Sequence, residues 1–191
     1  TIQVLAVCSH MSAIMPQFRS LIIVPASLRD NWRTEIQHKT HLKCHMLVGW
    51  PLREKIAAWQ AEGGIGIVSY NVLQGSIDLF TNAVRALDLC VADEAQYIKN
   101  PSAKRSHAAQ RFLFPCPVAV AMTGTPIENH PKEFLAIASS LNHRVGAVAH
   151  LARSGAIGTP DYFQRAVETI YLRRNKEDVL TELPELIEIE E

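Results

Sequence analysis

The ten residues "LDLCVADEAQ" (87–96) decide how the rest of the chain is read. Leu87 to Ala92, apolar but for Asp88, make a short run that reads as a buried strand, and it stops abruptly at two adjacent carboxylates, Asp93 and Glu94. Like charges side by side repel and resist desolvation, so by themselves they cost stability. Either the strand simply emerges into solvent there, or something positive, such as a metal ion, belongs at that strand end. On these ten residues alone both readings stay open.

The flanking sequence repeats one alternation. Residues 2–15 carry Ile2, Leu5, Cys8, Met11 and Ile14 or Met15 at a helical period. "LIIVP" (21–25) is a continuous apolar run closed by proline, as in a strand covered on both faces. "SLRDNWRTEIQ" (27–37) follows as a helix, with Ser27 and Asp30 spaced like an N-terminal capping box. Strand and helix then alternate through "HLKCHMLVG", "LREKIAAWQ", "IGIVSY", "VLQGSIDLF", "LDLCVADEAQ", "SAKRSHAAQRFL", "PVAVAMTGTP" and "PKEFLAIASSL", where Pro131 suits a first helical turn. Such alternation predicts an α/β fold, a parallel sheet with helices on both faces. Ligands of such sheets bind beyond the carboxyl ends of the strands. Asp93 and Glu94, "TGTP" (123–126), "SY" (69–70) and "PAS" (25–27) are all expected on that edge. After Asn142 a Gly- and Ala-rich stretch without clear period is followed by a short helix expected at 161–170 and a charged end segment. The expected division is therefore 1–143 as the lobe and 144–191 as an extension and connector.

Composition narrows the class. At 191 residues the chain suits one domain with a proper core, and 48% hydrophobic content belongs to a folded protein. Lys plus Arg equals Asp plus Glu at 19 each, so no bulk basic field advertises a nucleic acid, although a neutral total can hide a local patch. No apolar run reaches the length of a membrane span, and no membrane partner is expected. Cys8, Cys44, Cys90 and Cys116 form no C-x-x-C pair and read as buried free thiols of a reducing compartment. His38, His41, Cys44 and His45 crowd together but are divided by a helix end and a strand start, so they read as surface polar residues. Trp32, Trp50 and Trp59 read as packing residues.

Five segments taken together carry a resemblance. "VADEAQYIKNPSAKRSHAA" resembles motif II and the following helix of the SNF2 family of DNA-dependent ATPases, within helicase superfamily 2. "MTGTPIENHPKEF" resembles motif III, "LIIVPASLRDNWRTEI" motif Ia, "IVSYNVL" motif Ib, and "YLRRNKEDVLTELPE" the segment leading towards a second lobe. They stand in the family's order along nearly the whole chain. The resemblance implies the first RecA-like (P-loop NTPase) lobe of a motor that uses ATP and Mg²⁺ to move along double-stranded DNA. It implies that Asp93 helps hold Mg²⁺ and that Glu94 polarises the attacking water, roles that suit phosphoryl transfer. Gln96, Thr123, Gly124 and Thr125 are implied in coupling nucleotide state to the second lobe, and Pro25, Ser27, Ser69 and Tyr70 in contacting the DNA backbone.

A phosphate loop, G-x-x-x-x-G-K-[ST], is not among the 191 residues, whose first glycine is Gly49. The opening "TIQVLAV" resembles the residues that follow the loop's G-K, which implies that Thr1 is the loop's Mg²⁺-binding threonine and that the chain is an N-terminally truncated lobe, inactive by itself. The partners implied are duplex DNA, gripped without sequence preference, and the second RecA-like lobe of the same parent. The setting implied is a bacterial cytoplasm, beside the nucleoid, or a nucleus. Two other readings stand beside this one: a non-catalytic nucleic-acid-binding or protein-interaction lobe, and a strand-separating helicase of the same superfamily. "DEAQ" and "LRRNKEDV" favour the SNF2 type.

Overall fold

The computed structural model describes residues 1–81, 83, 86–124, 131–141 and 172. Five parallel strands, β1 (Arg19–Val24), β2 (Cys44–Met46), β3 (Gly64–Ser69), β4 (Leu89–Ala92) and β5 (Val118–Ala121), form one sheet in the order β2-β3-β1-β4-β5. The helices are α1 (Ile2–Ile14), α2 (Arg29–Lys39), α3 (Leu52–Glu62), α4 (Tyr70–Gly75), α5 (Lys104–Leu113) and α6 (Pro131–Leu141). The expected α/β architecture is thus present, with Pro131 opening its helix. By internal contacts the chain divides into Thr1–Ala149 and His150–Glu191. The strands and helices named above lie in the first unit, and the helix expected at 161–170 lies outside the described residues.

Strand alternation distributes the core to two faces. Ile22 and Val24 of β1, Ile65 and Ile67 of β3 and Leu89 and Val91 of β4 join Val4, Leu5, Cys8 and Met11 of α1 and Trp32 and Ile36 of α2. On the opposite face Leu21 and Ile23, Val68, and Cys90 and Ala92 join Trp59 of α3, Leu73 of α4 and Ala109, Phe112 and Leu113 of α5. β1 is buried from Ser20 to Val24, which is why its sequence is a continuous apolar run rather than an alternating one.

Topology then places the cleft. From β1 the chain passes through α2 towards the β2 side, whereas from β4 it passes through α5 towards β5. Connections diverging from neighbouring strands open a crevice at their carboxyl ends, where ligands of α/β sheets bind. Val24 and Ala92 end the two strands that flank it.

Several local expectations change. Ser27 makes no cap: a 3-10 turn, Ala26–Leu28, intervenes, the Leu28 amide donates to the Pro25 carbonyl, and α2 starts only at Arg29. The helix expected over 72–80 breaks at Gly75 and Ser76 into α4 and a 3-10 turn, Ile77–Phe80. The strand expected over 41–49 pairs only at Cys44–Met46, on the sheet edge. The helical stripe on α1 buries Val4, Leu5, Cys8 and Met11 but leaves Ile2 and Ile14 in solvent. Trp59 is buried, but Trp50 is 92% exposed and packs in no core. Cys8, Cys90 and Cys116 are buried free thiols, while Cys44 on the edge strand is half-buried.

Gly66 in β3 has a steric reason. A β-carbon there would lie 2.7 Å from Leu47 Cδ1 and 2.9 Å from Trp59 Cε2, and the Trp59 ring lies directly over the strand. Both neighbours are fully buried and have nowhere to retreat. Gly66→Ala is therefore expected to destabilise the fold by roughly 1–3 kcal/mol through overpacking. Urea unfolding should show a lower midpoint at unchanged slope, and equal or greater stability would refute the close packing of Trp59 on β3.

Candidate functional site

The site begins where the sheet's hydrogen bonding continues past β4. The Asp93 amide donates to the Ile23 carbonyl at 2.8 Å, prolonging the β1–β4 ladder by one residue. The Ala95 amide then donates to the Met122 carbonyl at 2.8 Å, fixing the segment to the end of β5. Between these two ties the chain must turn sharply, and Glu94 does so in a left-handed conformation (φ 49°, ψ 55°). A non-glycine residue in that region carries strain of roughly 1–2 kcal/mol, sustained here by the bonds on both sides. A 3-10 turn, Ala95–Ile98, follows.

Asp93 is held from several directions. Its Oδ1 accepts the Glu94 amide at 2.9 Å, and its Oδ2 accepts the Trp32 indole Nε1–H at 2.7 Å. The Tyr70 hydroxyl donates to its backbone carbonyl at 2.7 Å. An ionised carboxylate offers about four acceptor positions, so about two remain for other partners. Glu94 Oε2 accepts from Gln96 Nε2 at 2.8 Å, and Gln96 Oε1 accepts from the Thr123 hydroxyl at 2.9 Å. One amide side chain thus joins the acidic strand end of β4 to the end of β5. Gly124 is exposed, and Thr125 lies outside the described residues. Thr1 is the exposed N-cap residue of α1, and among the described residues no hydrogen bond ties it to Asp93.

The backbone-contact candidates divide. Ser27 is exposed on the turn after β1, but Pro25 is buried. Ser69 is 3% exposed and its hydroxyl accepts the Val72 amide at 3.4 Å, capping α4. Tyr70 is 2% exposed and its hydroxyl is spent on Asp93. Both hydroxyls are thus engaged within the lobe, at the end of β3 and on the Asp93 backbone. α4 starts directly at the end of β3, so Ser69 serves as its cap and Tyr70 as its first residue. The Tyr70 ring stacks on Tyr97 at 5.4 Å between centroids, and Arg105 of α5 lies 5.6 Å over the other ring.

Sequence reasoning missed Trp32, read only as packing. The signal was available in chemistry rather than in pattern: a buried indole N–H requires an acceptor. Tyr97 and Arg105 gave no signal beyond a solvated helix face.

A parallel sheet of this order, with paired carboxylates at a central strand end and a hydroxyl-bearing turn beside them, defines a RecA-like lobe. The sequence profile of the SNF2-related domain matches residues 1–189, and the chain belongs to that family. An uncharacterized ATP-dependent helicase of Mycoplasma pneumoniae is 31% identical over 174 residues, which cover 88% of this chain and 16% of the relative. The TATA-binding protein-associated factor mot1 of Aspergillus fumigatus is 29% identical over 188 residues, covering 86% of this chain and 10% of the relative. The chain therefore spans less than a fifth of the length of either. The solved structure of the Sulfolobus solfataricus SWI2/SNF2 ATPase core in complex with dsDNA superposes with a TM-score of 0.73 at 24% identity, over 95% of this chain and 39% of that one. The likeness shows the fold.

Burial gives the site and core a pH signature. Desolvation, helped by the nearby Asp93 carboxylate, raises the Tyr70 phenol well above its ordinary range. Burial likewise pushes the Cys8, Cys44 and Cys116 thiols up to about 11, and raises Cys90. An unfolded chain releases the thiol protons near pH 9 and the phenol proton near pH 10, whereas the folded chain retains both. Above those values the unfolded state binds fewer protons, so stability present below about pH 9 falls as pH rises. Urea midpoints measured from pH 8 to 10.5 should decline, and Tyr70→Phe should flatten the part above pH 10. A midpoint constant across that range would contradict the burial of these groups.

Proposed function

We propose that this chain is the first RecA-like lobe of an SNF2-type motor that hydrolyses ATP to translocate along duplex DNA and remodel protein–DNA complexes. The observation that carries the reading is the acidic strand end: two carboxylates at the crevice, one clamped by neutral donors and the other linked through Gln96 to Thr123. Asp93 is the proposed Mg²⁺ ligand. Among the described residues no group of three or more His, Cys, Asp or Glu side chains gathers to hold a metal alone. That donor set suits Mg²⁺, which keeps its waters and is bound through one or two carboxylates together with substrate phosphates. Bound there, the ion would neutralise charge developing on the transferred phosphoryl group.

Glu94 is the proposed base. Its left-handed backbone turns it out of the strand direction, and Gln96 fixes its carboxylate in hydrogen-bonding reach. Its role is to accept a proton from the water that attacks the γ-phosphate. Thr123 and Gln96 then carry the state of that carboxylate to the turn after β5, and through it to a second lobe. Thr1 stays proposed as a hydroxyl ligand to Mg²⁺, and Gly124 and Thr125 as part of the same coupling turn. The 191 residues alone, without a phosphate loop, are expected to hydrolyse little ATP. The proposed setting is a bacterial cytoplasm or a nucleus; no helix among the described residues is long and apolar enough to cross a membrane.

In a two-lobed protein carrying this chain, Glu94→Gln is expected to leave nucleotide binding within a few-fold while lowering kcat by about 10²–10⁴, the usual contribution of general base catalysis. Asp93→Asn should in addition weaken Mg²⁺-dependent nucleotide binding. ATP turnover by Glu94→Gln near the wild-type rate would remove Glu94 from the mechanism. For DNA, Ser27 and the amides of the turn after β1 are the proposed phosphate contacts, so duplex affinity should fall steeply with salt and vary little with sequence. Salt-indifferent binding, measured by fluorescence anisotropy, would favour a protein-interaction lobe instead.

A further inference from the structure

We propose that Trp32 is a positioning residue for the metal-binding carboxylate, its indole N–H holding Asp93 in the rotamer that meets the ion. This rests on the reading of Asp93 as the Mg²⁺ ligand. Trp32 lies on α2, distant in sequence from Asp93, and is 1% exposed. Its ring belongs to the apolar layer formed by Val24, Ile36 and Val91, so its position is fixed by packing, and its single polar atom is aimed at Oδ2 at 2.7 Å. That length is typical of a hydrogen bond to an ionised acceptor. The opposite oxygen takes the Glu94 amide at 2.9 Å, so the two donors together define the carboxylate plane.

The chemistry of the donor matters as much as its place. An arginine or lysine there would fix the carboxylate equally well, but its charge would neutralise Asp93 and compete with the ion. An indole donates one proton and carries no charge. The carboxylate is thus immobilised with its negative charge intact, the condition for binding a cation that gives up its own waters reluctantly. Groups behind a metal ligand set its orientation in this way, and their loss commonly lowers metal affinity 10–100-fold. Position adds a second consequence. α2 leads straight out of the turn that bears Pro25 and Ser27, so Trp32 joins that turn to the metal carboxylate through a single rigid helix.

The test uses the two-lobed protein with two changes at this position. Trp32→Phe removes the donor and keeps most of the buried ring, and benzothienylalanine at position 32 replaces N–H by sulfur at nearly unchanged shape. Metal loading is read without turnover, by electron paramagnetic resonance of Mn²⁺ with a non-hydrolysable ATP analogue. Both variants are expected to weaken Mn²⁺ binding roughly tenfold or more while metal-free nucleotide binding is unchanged. Neither should add to the effect of Asp93→Asn, because the bond they remove is already altered there. If Asp93→Asn weakens Mn²⁺ binding but the benzothienylalanine protein binds as wild type, Trp32 only packs and the proposal is overturned. If Asp93→Asn itself binds Mn²⁺ normally, the assignment of the metal ligand fails, and the proposal with it. Should Trp32→Phe not fold, the shape-preserving variant decides alone.

Discussion

The hydrogen bond from the Asp93 amide to the Ile23 carbonyl, 2.8 Å long, sets the terms for everything around it. It carries sheet pairing beyond the last apolar residue of β4, so that a charged residue begins where the buried strand ends and inherits the strand's rigidity. A half-buried carboxylate in that place needs hydrogen-bond donors, and it needs ones that do not offset its charge if a cation is to bind there. Its neighbours meet both demands with neutral donors: an indole, a backbone amide and, on the backbone carbonyl, a phenol. The indole and the phenol are themselves placed by burial, and the Glu94 amide by the ties of its neighbours Asp93 and Ala95 to Ile23 and Met122. The acidic edge therefore depends on the apolar layers beneath it more than on any ion pair. The ion pairs among the described residues, such as Lys43–Glu62, lie on the surface, where such pairs contribute little.

The two faces of the sheet contribute differently. Trp32 reaches Asp93 from the face covered by α1 and α2, and Tyr70 from the face covered by α3, α4 and α5. Because β1 stands between β3 and β4, the turns that follow β1 and β3 both come beside the acidic end of β4. Each of these turns is followed by a side chain, Trp32 or Tyr70, hydrogen-bonded to Asp93. The stack from Tyr70 through Tyr97 to Arg105 extends this connection to α5. Distant segments of sequence thus meet at one residue for reasons of sheet order alone.

Much of this was legible in the sequence. Short apolar runs ended by Asp93–Glu94, Thr123, Ser69 and Pro25 marked strand ends, most clearly in β1, β3 and β4, which are buried along nearly their whole length. Helix starts were harder. Ser27 had the composition of a cap, but a cap requires the helix to begin immediately after it, and the 3-10 turn between them depends on how Pro25 is packed. Tyr70 looked like a surface hydroxyl because nothing in its local sequence reveals that α4 starts without a linker. Trp32 and Trp50 differ only in context: one faces a layer of β-branched residues, and the other sits past the end of an edge strand with no layer above it. Pattern gives a residue's period. It does not give what the next element will lay across it.

Glu94 shows why the remaining features had to be seen in three dimensions. The left-handed region suits glycine, and on conformational grounds alone glycine is the residue a stable turn would select. A glutamate there accepts strain, and it adds a charge next to another of the same sign. Two hydrogen bonds to the carbonyls of Ile23 and Met122 hold the backbone against that strain, and Gln96 holds the side chain. A fold selected for stability alone has no use for this expenditure. The local sequence contradicts the local geometry at one residue, and the surrounding core over-determines that residue's position. Where both conditions coincide the strain marks a place worth testing for function, and the base role proposed for Glu94 is one that would account for a carboxylate where glycine is the easier residue.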